Sequence, residues 1–253
     1  LNVLCDWYIS NPIIIAFRYK ASKKIIDIIM QNIKPNSVDL SQKNLEGGPN
    51  DTALHHATFS NFDYGVMELL KFAVKNPDFN SIVEPSTFVK ACRHLEKPDA
   101  IIYLIEHAKD RGTDLNYKVN NRQSPIHILL EKEKPNVDLL DYIFGKSKEN
   151  GILIDEINGD GLTPLLFLCL NHEGRIKNQD DVLYVFFKHK KKVNFLAKVN
   201  STDKTVFHLL VENIMCTRKS VDLLQQYGMV DLDLDISEIF HTVIYSSNCL
   251  SLL

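Results

Sequence analysis

Glycine is scarce in this chain, with ten among 253 residues, and most stand alone or in turns such as Gly47-Gly48 and Gly159-Asp160-Gly161. Loops that cradle phosphate through successive backbone N–H groups are therefore poorly supplied. The sequence holds no G-x-x-x-x-G-K-[ST] loop, no G-x-G-x-x-G after a strand, no H-E-x-x-H and no G-x-S-x-G elbow, and without these no catalytic constellation assembles. The chain is expected not to be an enzyme and to need no cofactor. Cysteine is sparse too: Cys5, Cys92, Cys169, Cys216 and Cys249 are odd in number, scattered and free of any C-x-x-C pair. That pattern supports neither a disulfide framework nor a zinc knuckle and points to reduced thiols.

Charge of one sign is missing as well. With 29 basic against 32 acidic residues, the net charge is −3, so the strongly basic footprint of a nucleic-acid partner is not expected. Apolar runs such as Pro12 to Phe17 fall far short of the roughly 20 residues that span a bilayer. The chain opens at Leu1 rather than Met and shows no charged-then-apolar leader, which reads as an excised region; the reduced thiols point to a cytoplasmic or other intracellular location. The nucleus, or the inside of a host cell for a secreted effector, are the alternatives. What the chain does have is 45% apolar and 24% charged residues, the balance of an ordinary folded protein.

It also repeats. Thr163-Pro164-Leu165-Leu166-Phe167-Leu168 follows Asn158-Gly159-Asp160-Gly161-Leu162, a polar turn opening into an apolar helix. The same frame recurs as Asn11-Pro12-Ile13-Ile14-Ile15-Ala16, Thr52-Ala53-Leu54-His55-His56-Ala57, Ser86-Thr87-Phe88-Val89-Lys90-Ala91, Ser124-Pro125-Ile126-His127-Ile128-Leu129 and Thr205-Val206-Phe207-His208-Leu209-Leu210. Successive frames are 34 to 42 residues apart, room for one helical hairpin each. Each frame is followed by a second apolar segment with i, i+3, i+4 spacing: Ile25 to Ile29, Val66 to Leu70, Ile101 to Ile105, Val137 to Asp141, Val182 to Phe186 and Val221 to Gln225.

These frames resemble the ankyrin-repeat signature T-P-L-H-x-A, which opens helix one. Gly112-Thr113-Asp114-Leu115-Asn116 matches the closing G-A-D-V-N of that family, with echoes at Val38-Asp39-Leu40, Val193-Asn194-Phe195 and Val230-Asp231-Leu232. The resemblance covers nearly the whole chain. It departs from the family in repeat length, in the histidine slot, which is filled in three of six frames, and in the glycine between helices, which is mostly lost. The resemblance implies an all-α ankyrin-repeat solenoid of about six helix-turn-helix repeats, read as one domain over 1–253. The repeats run approximately over 8–46, 47–80, 81–118, 119–157, 158–199 and 200–234. Residues 235–253 then form a cap or begin a seventh repeat at Ser237 to Thr242.

The residue types suit the positions. Threonine or serine in the first slot can accept a hydrogen bond from an orphaned N–H of the first turn, and proline after it fits a position that needs no donor. The third slot is always apolar (Ile13, Leu54, Phe88, Ile126, Leu165, Phe207), as expected of a side chain wedged between neighbouring repeats. Cys92 and Cys169 directly follow a hexamer and read as packed thiols.

His55, His127 and His208 share the fourth slot. Equivalent positions in stacked helices lie about 10 Å apart, whereas zinc ligands must come within roughly 2.1 Å of the metal. No metal is expected, and the ankyrin resemblance implies a ring that hydrogen-bonds across the inter-repeat hairpin. His56 is expected to face out. Lys188-His189-Lys190-Lys191-Lys192 ends a second helix, where positive charge favours the dipole; a solvated helix end is the first reading and a nuclear-import or anionic-surface patch the second. Asp231, Asp233 and Asp235 alternate without the spacing or glycine of an EF-hand loop.

The resemblance implies binding on a concave face built from first helices and hairpin tips. By frame, His56, Lys90, Ile128, Phe167 and Leu209 stand one residue after the histidine slot, and Phe59, Arg93, Glu131, Leu170 and Glu212 three further on. Arg122, Asp160, Asp203 and Lys204 belong to hairpin tips. The partner-binding set is thus His56, Phe59, Lys90, Arg93, Arg122, Glu131, Asp160, Asp203, Lys204 and Glu212, a mix of charge and apolar groups suited to a protein partner. Phe59, Arg93 and Glu131 are expected to form one ridge. Polar insertions at Asn171 to Asp180 and Asn213 to Lys219 are expected to project as loops. The leading expectation is a protein-interaction scaffold. The alternatives are the recognition segment of a larger enzyme, such as a bacterial effector, and the cytosolic ankyrin region of a membrane channel.

Overall fold

The computed structural model describes residues 12–33, 52–76, 83–111, 113–170, 174–199, 202, 204–212, 218–223 and 226. Among them are helices and two isolated β-bridges, Val119 with Gln123 and Lys198 with Thr205. The helices come in pairs, a short one opened by each hexamer and a second one after it. These are α1 (Pro12–Arg18) and α2 (Lys23–Asn32), α3 (Ala53–Phe59) and α4 (Asp63–Lys75), and α5 (Thr87–His94) and α6 (Asp99–Arg111). Next come α7 (Pro125–Leu130) and α8 (Val137–Asn150), α9 (Pro164–Cys169) and α10 (Gln179–Lys188), and α11 (Val206–Glu212) and α12 (Arg218–Leu223).

By internal contacts the chain divides into two compact units, Leu1–Tyr117 and Lys118–Leu253. In the first, α1 packs on α3 and α3 on α5, while α2 packs on α4 and α4 on α6. In the second, α7 packs on α9 and α9 on α11, while α8 packs on α10 and α10 on α12. Like helix thus stacks on like, the arrangement of hairpins that cannot bury both faces alone.

The core follows from spacing. In α4, Val66, Leu69, Leu70 and Ala73 are buried, and in α8 Leu139, Leu140, Ile143, Phe144 and Ser147, the one-sided stripe of an amphipathic helix. All six third-slot residues are at most 2% exposed, so the wedge position is the core of both units. Cys92 and Cys169 are buried beside them. In the second unit Phe144 meets Phe186 edge-on with centroids 4.9 Å apart, and Phe187 stacks on Phe195 at 4.9 Å, contacts that add to the area term of roughly 25 cal/mol per Å².

One expectation needs correction. Residues 174–178 do not project: Ile176 is 2% exposed, Lys177 N–H donates to the Glu133 carbonyl at 2.8 Å and Asn178 Nδ2 to the Pro135 carbonyl at 3.0 Å. Residues 174–178 lie down on the preceding interhelical loop because their backbone needs partners there; residues 171–173 lie outside the described residues. The lost interhelical glycine is replaced by side chains in the same backbone conformation. Lys20 has φ 52° and Asn61 φ 53°, and each ends its helix with a wide backbone bond, Ala21 N–H to the Ala16 carbonyl at 2.8 Å and Phe62 N–H to the Ala57 carbonyl at 2.9 Å. This is the left-handed helix stop that glycine usually supplies. The second insertion, residues 213–217, and the seventh hexamer at 237–242 lie outside the described residues.

Candidate functional site

The hexamers cap their helices in two ways. In α3 and α9 the threonine hydroxyl accepts from the backbone of slot four: Thr52 Oγ1 from His55 N–H at 3.2 Å, and Thr163 Oγ1 from Leu166 N–H at 3.3 Å. Where Ser124 and Thr205 open α7 and α11, the slot-four imidazole takes over. His127 Nδ1 lies 2.8 Å from Ser124 Oγ and 3.3 Å from Ser124 N, and His208 Nδ1 lies 2.8 Å from Thr205 Oγ1 and 3.3 Å from Thr205 N. With Nδ1 accepting, the His127 proton sits on Nε2, which meets the Leu162 carbonyl of the next hairpin at 3.0 Å. The ring is fully buried, and burial pushes its pKa down to about 4 despite the Leu162 carbonyl pulling the other way. It is a neutral strut between hairpins. Ser86 departs from the pattern: its backbone is helical and its hydroxyl caps no N–H of α5, while Thr87 Oγ1 accepts from Glu84 N–H at 2.8 Å.

The tips of the second unit are tied side by side. Val119 N–H donates to the Gln123 carbonyl at 3.1 Å, and Asn121 and Arg122, both with positive φ, form the two-residue tip. In the next tip, Asn158 N–H donates to the Leu162 carbonyl at 3.0 Å, Asn158 Oδ1 accepts from Asp160 N–H and Leu162 N–H, and Gly161 supplies the positive φ. Gly159 N–H donates to the Asn121 carbonyl at 2.6 Å, and a Cβ there would sit 2.9 Å from that oxygen. Asn121 Nδ2 donates to Asp160 at 2.8 Å, and Lys118 pairs with Glu156. Val199 N–H to the Lys204 carbonyl at 2.9 Å closes the third tip.

On this frame the partner-binding candidates separate. In the first unit Phe59 is 65% exposed, its ring stacked along His55 and 4.8 Å from His94. Arg93, next to His94, is exposed, and Lys90 is half-buried and paired with Glu84 at 3.1 Å. His56 was expected to face out and is half-buried instead, edge-on to His55. In the second unit Arg122 and Asp160 are exposed on tips, Glu131 is half-buried and accepts from Gln123 Nε2, and Lys204 is half-buried. Ile128 and Leu209, placed outward by frame, are buried at 1% and 6% on helices α7 and α11, which both pack on α9. Phe167 is half-buried against the His127 ring, and Leu170 is half-buried. Asp203 and the Glu212 side chain lie outside the described residues, as do Asp231, Asp233 and Asp235.

The lysine run is a solvated helix end held in place. Lys188 and His189 both reach Asp141 at 2.7 Å, and Lys192 Nζ donates to the Phe144 and Gly145 carbonyls. Burial pushes the Asp141 carboxyl up, but the bonds from Lys188 and His189 hold it below its ordinary value. Among the described residues no group of His, Cys, Asp or Glu is placed to hold a metal, and no helix is long and apolar enough to cross a membrane.

Frame reading missed a set of surface residues around the α1–α2 turn. Arg18, Tyr19, Lys20, Lys23 and Lys24 are all exposed, Tyr19 at 72%, and Ser60 Oγ donates to the Arg18 carbonyl at 2.8 Å, placing this turn beside Phe59. The signal was there, four cations in seven residues without an acid, but it falls outside the hexamer.

No protein-family model and no curated protein matches the sequence. Solved structures do match in fold. The ankyrin repeat domain of Bcl-3, a unique member of the IkappaB protein family, is 16% identical with a TM-score of 0.57, over 86% of this chain and 85% of that one. An ankyrin repeat protein from Leishmania major is 17% identical over 84% and 80%, with a TM-score of 0.40 that carries no weight. Paired helices stacked like on like, hexamer caps and an imidazole strut between hairpins agree with that likeness, and the fold of this chain is the ankyrin-repeat fold.

Proposed function

We propose that this chain is a protein-interaction scaffold, holding a protein partner on the face of its first helices and hairpin tips, the concave face of an ankyrin solenoid. The observation that carries it is Phe59. Third-slot side chains are all buried, yet this aromatic is two-thirds exposed on a first helix, braced by two imidazoles. A large apolar side chain held rigid in solvent is the usual anchor of a protein interface, and Arg93 beside it is the usual companion. The exposed Arg122 and Asp160 add polar groups on the tips.

The test is affinity capture with the chain and with a Phe59→Ala, Arg93→Ala variant of unchanged helicity. A partner retained by the parent and lost by the variant is the expected result. Identical captured sets, or none from either, would remove the reading.

A further inference from the structure

Resting on the scaffold reading, we infer that the partner surface of the first unit is a basic and aromatic ridge. It runs along the C-terminal ends of α1, α3 and α5 and is fitted to an acidic protein segment carrying an apolar anchor.

The ridge is continuous. Ser60 of the α3 end bonds the Arg18 carbonyl of the α1 end at 2.8 Å, Phe59 meets His94 of α5 at 4.8 Å, and Asn61 Oδ1 accepts from Glu96 N–H at 3.1 Å. Along it stand the exposed cations Arg18, Lys20, Lys23, Lys24, Arg93 and Lys97. The acids on it are Asp63, half-buried at the start of α4, and the exposed Glu96 and Asp99 at the α5–α6 end. Tyr19 and Phe59 are its exposed rings.

Its basic end works against the helix it opens. The second helices α4, α6, α8 and α10 carry aspartate in the first turn, as the helix dipole favours, whereas α2 has no acid there and opens with Lys23 and Lys24. Two cations at that end oppose the dipole. Helix α12 also opens with cations, but Lys219 is paired with Asp181. Around α2, Arg18 lies over the Tyr19 ring and Lys23 over the Tyr64 ring; Asp27 is already bonded to Tyr64. A carboxylate-rich partner would neutralise this end.

An acidic protein segment fits better than other polyanions. The acids along the ridge, Asp63, Glu96 and Asp99, oppose a uniform phosphate backbone, and the chain carries no overall positive charge. Phe59 is held between His55 and His94, a platform for a side chain laid on it rather than a wedge that enters a bilayer.

The experiment is fluorescence anisotropy with a labelled acidic dodecapeptide of repeating Glu-Glu-Phe, its Lys-for-Glu counterpart, a single-stranded DNA oligomer and phosphatidylserine vesicles. The acidic peptide should bind in a salt-sensitive way, and the lysine peptide should not. A Lys20→Gly, Lys23→Ala, Lys24→Ala variant should weaken binding more than about tenfold, and Phe59→Ala about tenfold. Lys20→Gly and Lys24→Ala relieve backbone strain and helix-end repulsion, whereas Lys23→Ala also removes the contact with the Tyr64 ring; an unchanged helicity and denaturation midpoint in the triple variant therefore separate lost binding from lost folding. Unchanged binding in the triple variant, or tighter binding of DNA or vesicles than of the peptide, would overturn the inference. If a captured natural partner still binds the triple variant but not the Phe59→Ala, Arg93→Ala variant, the scaffold reading stands and the acidic partner falls.

Discussion

His55 and His127 occupy the same slot of the same motif, one in each unit, and do different work. His127 is fully buried, takes its own cap residue on Nδ1 and spans 35 residues of sequence to the Leu162 carbonyl with Nε2. His55 is half-buried; the Thr52 hydroxyl serves its backbone N–H, and its ring lies along exposed Phe59. A shared motif fixes where a side chain starts. What it does is decided by whether the next hairpin offers a carbonyl or the surface offers an aromatic.

The two frames should agree most where they are alike. Leu54 and Ile126, with Leu165 of α9, are third-slot residues at most 2% exposed, and truncating any of them to alanine should cost about 2–5 kcal/mol through lost transfer energy and a residual cavity. Chemical denaturation measures it. A change under about 1 kcal/mol at Leu54 with a full loss at Ile126 would show that the first unit's core is not built like the second's.

They should disagree at the histidine. Frame five already carries leucine there, Leu166, with a threonine cap on its N–H. His127→Leu leaves the Ser124 N–H and the Leu162 carbonyl without their ring partner, a loss of about 2–4 kcal/mol. The His55 ring is half-buried and lies along exposed Phe59, so His55→Leu should cost under about 1 kcal/mol. Equal losses at the two positions would erase the distinction between strut and platform.

The same contrast has a pH signature. The folded His127 pKa is depressed to about 4, below the roughly 6.5 of an unfolded chain. Above about pH 6.5 neither state binds the proton and stability is level. As pH falls from there toward 4 the unfolded chain gains a proton the native state refuses, so stability drops with falling pH, by about 2 kcal/mol at about pH 5. Comparing denaturation of the parent with His127→Leu at about pH 7 and about pH 5 isolates this part. An equal acid loss in both proteins would mean the ring is not neutral in the folded state.

Much of this was legible because a hydrophobic slot and a helix cap are local properties. The third-slot wedges and the second helices could be placed from spacing alone. Gly159 could be recognised as a turn glycine, but not as the residue that lets one tip touch the Asn121 carbonyl of another. Outwardness was harder to read. Counting from the histidine puts Ile128 and Leu209 on the surface, and the packing of α7 and α11 on α9 buries them. Ser86 and Thr87 are both capping residues, and nothing in their types says which will accept a bond; Glu84 decides it by offering its N–H to Thr87. The basic turn after α1 escaped because a repeat search scores likeness, and this turn matters through its difference from the others.

That turn also holds the smallest and cleanest test of how far the units depart from the ankyrin pattern. Lys20 and Asn61 both stop a first helix with φ above 50°, a conformation that crowds Cβ against the carbonyl and is easiest for glycine. Asn61 gains something in return, since its Oδ1 accepts from Glu96 N–H. Among the described residues Lys20 makes no such side-chain bond. Lys20→Gly should therefore stabilise by about 0.5–1 kcal/mol, the relieved strain exceeding the added entropy of the unfolded chain, while Asn61→Gly should gain nothing or lose stability with its bond. A rise in denaturation midpoint for Lys20→Gly alone is the expected reading. If both glycine variants rise equally, the Asn61 bond contributes nothing; if Lys20→Gly falls, the lysine is held there by an interaction worth more than the strain.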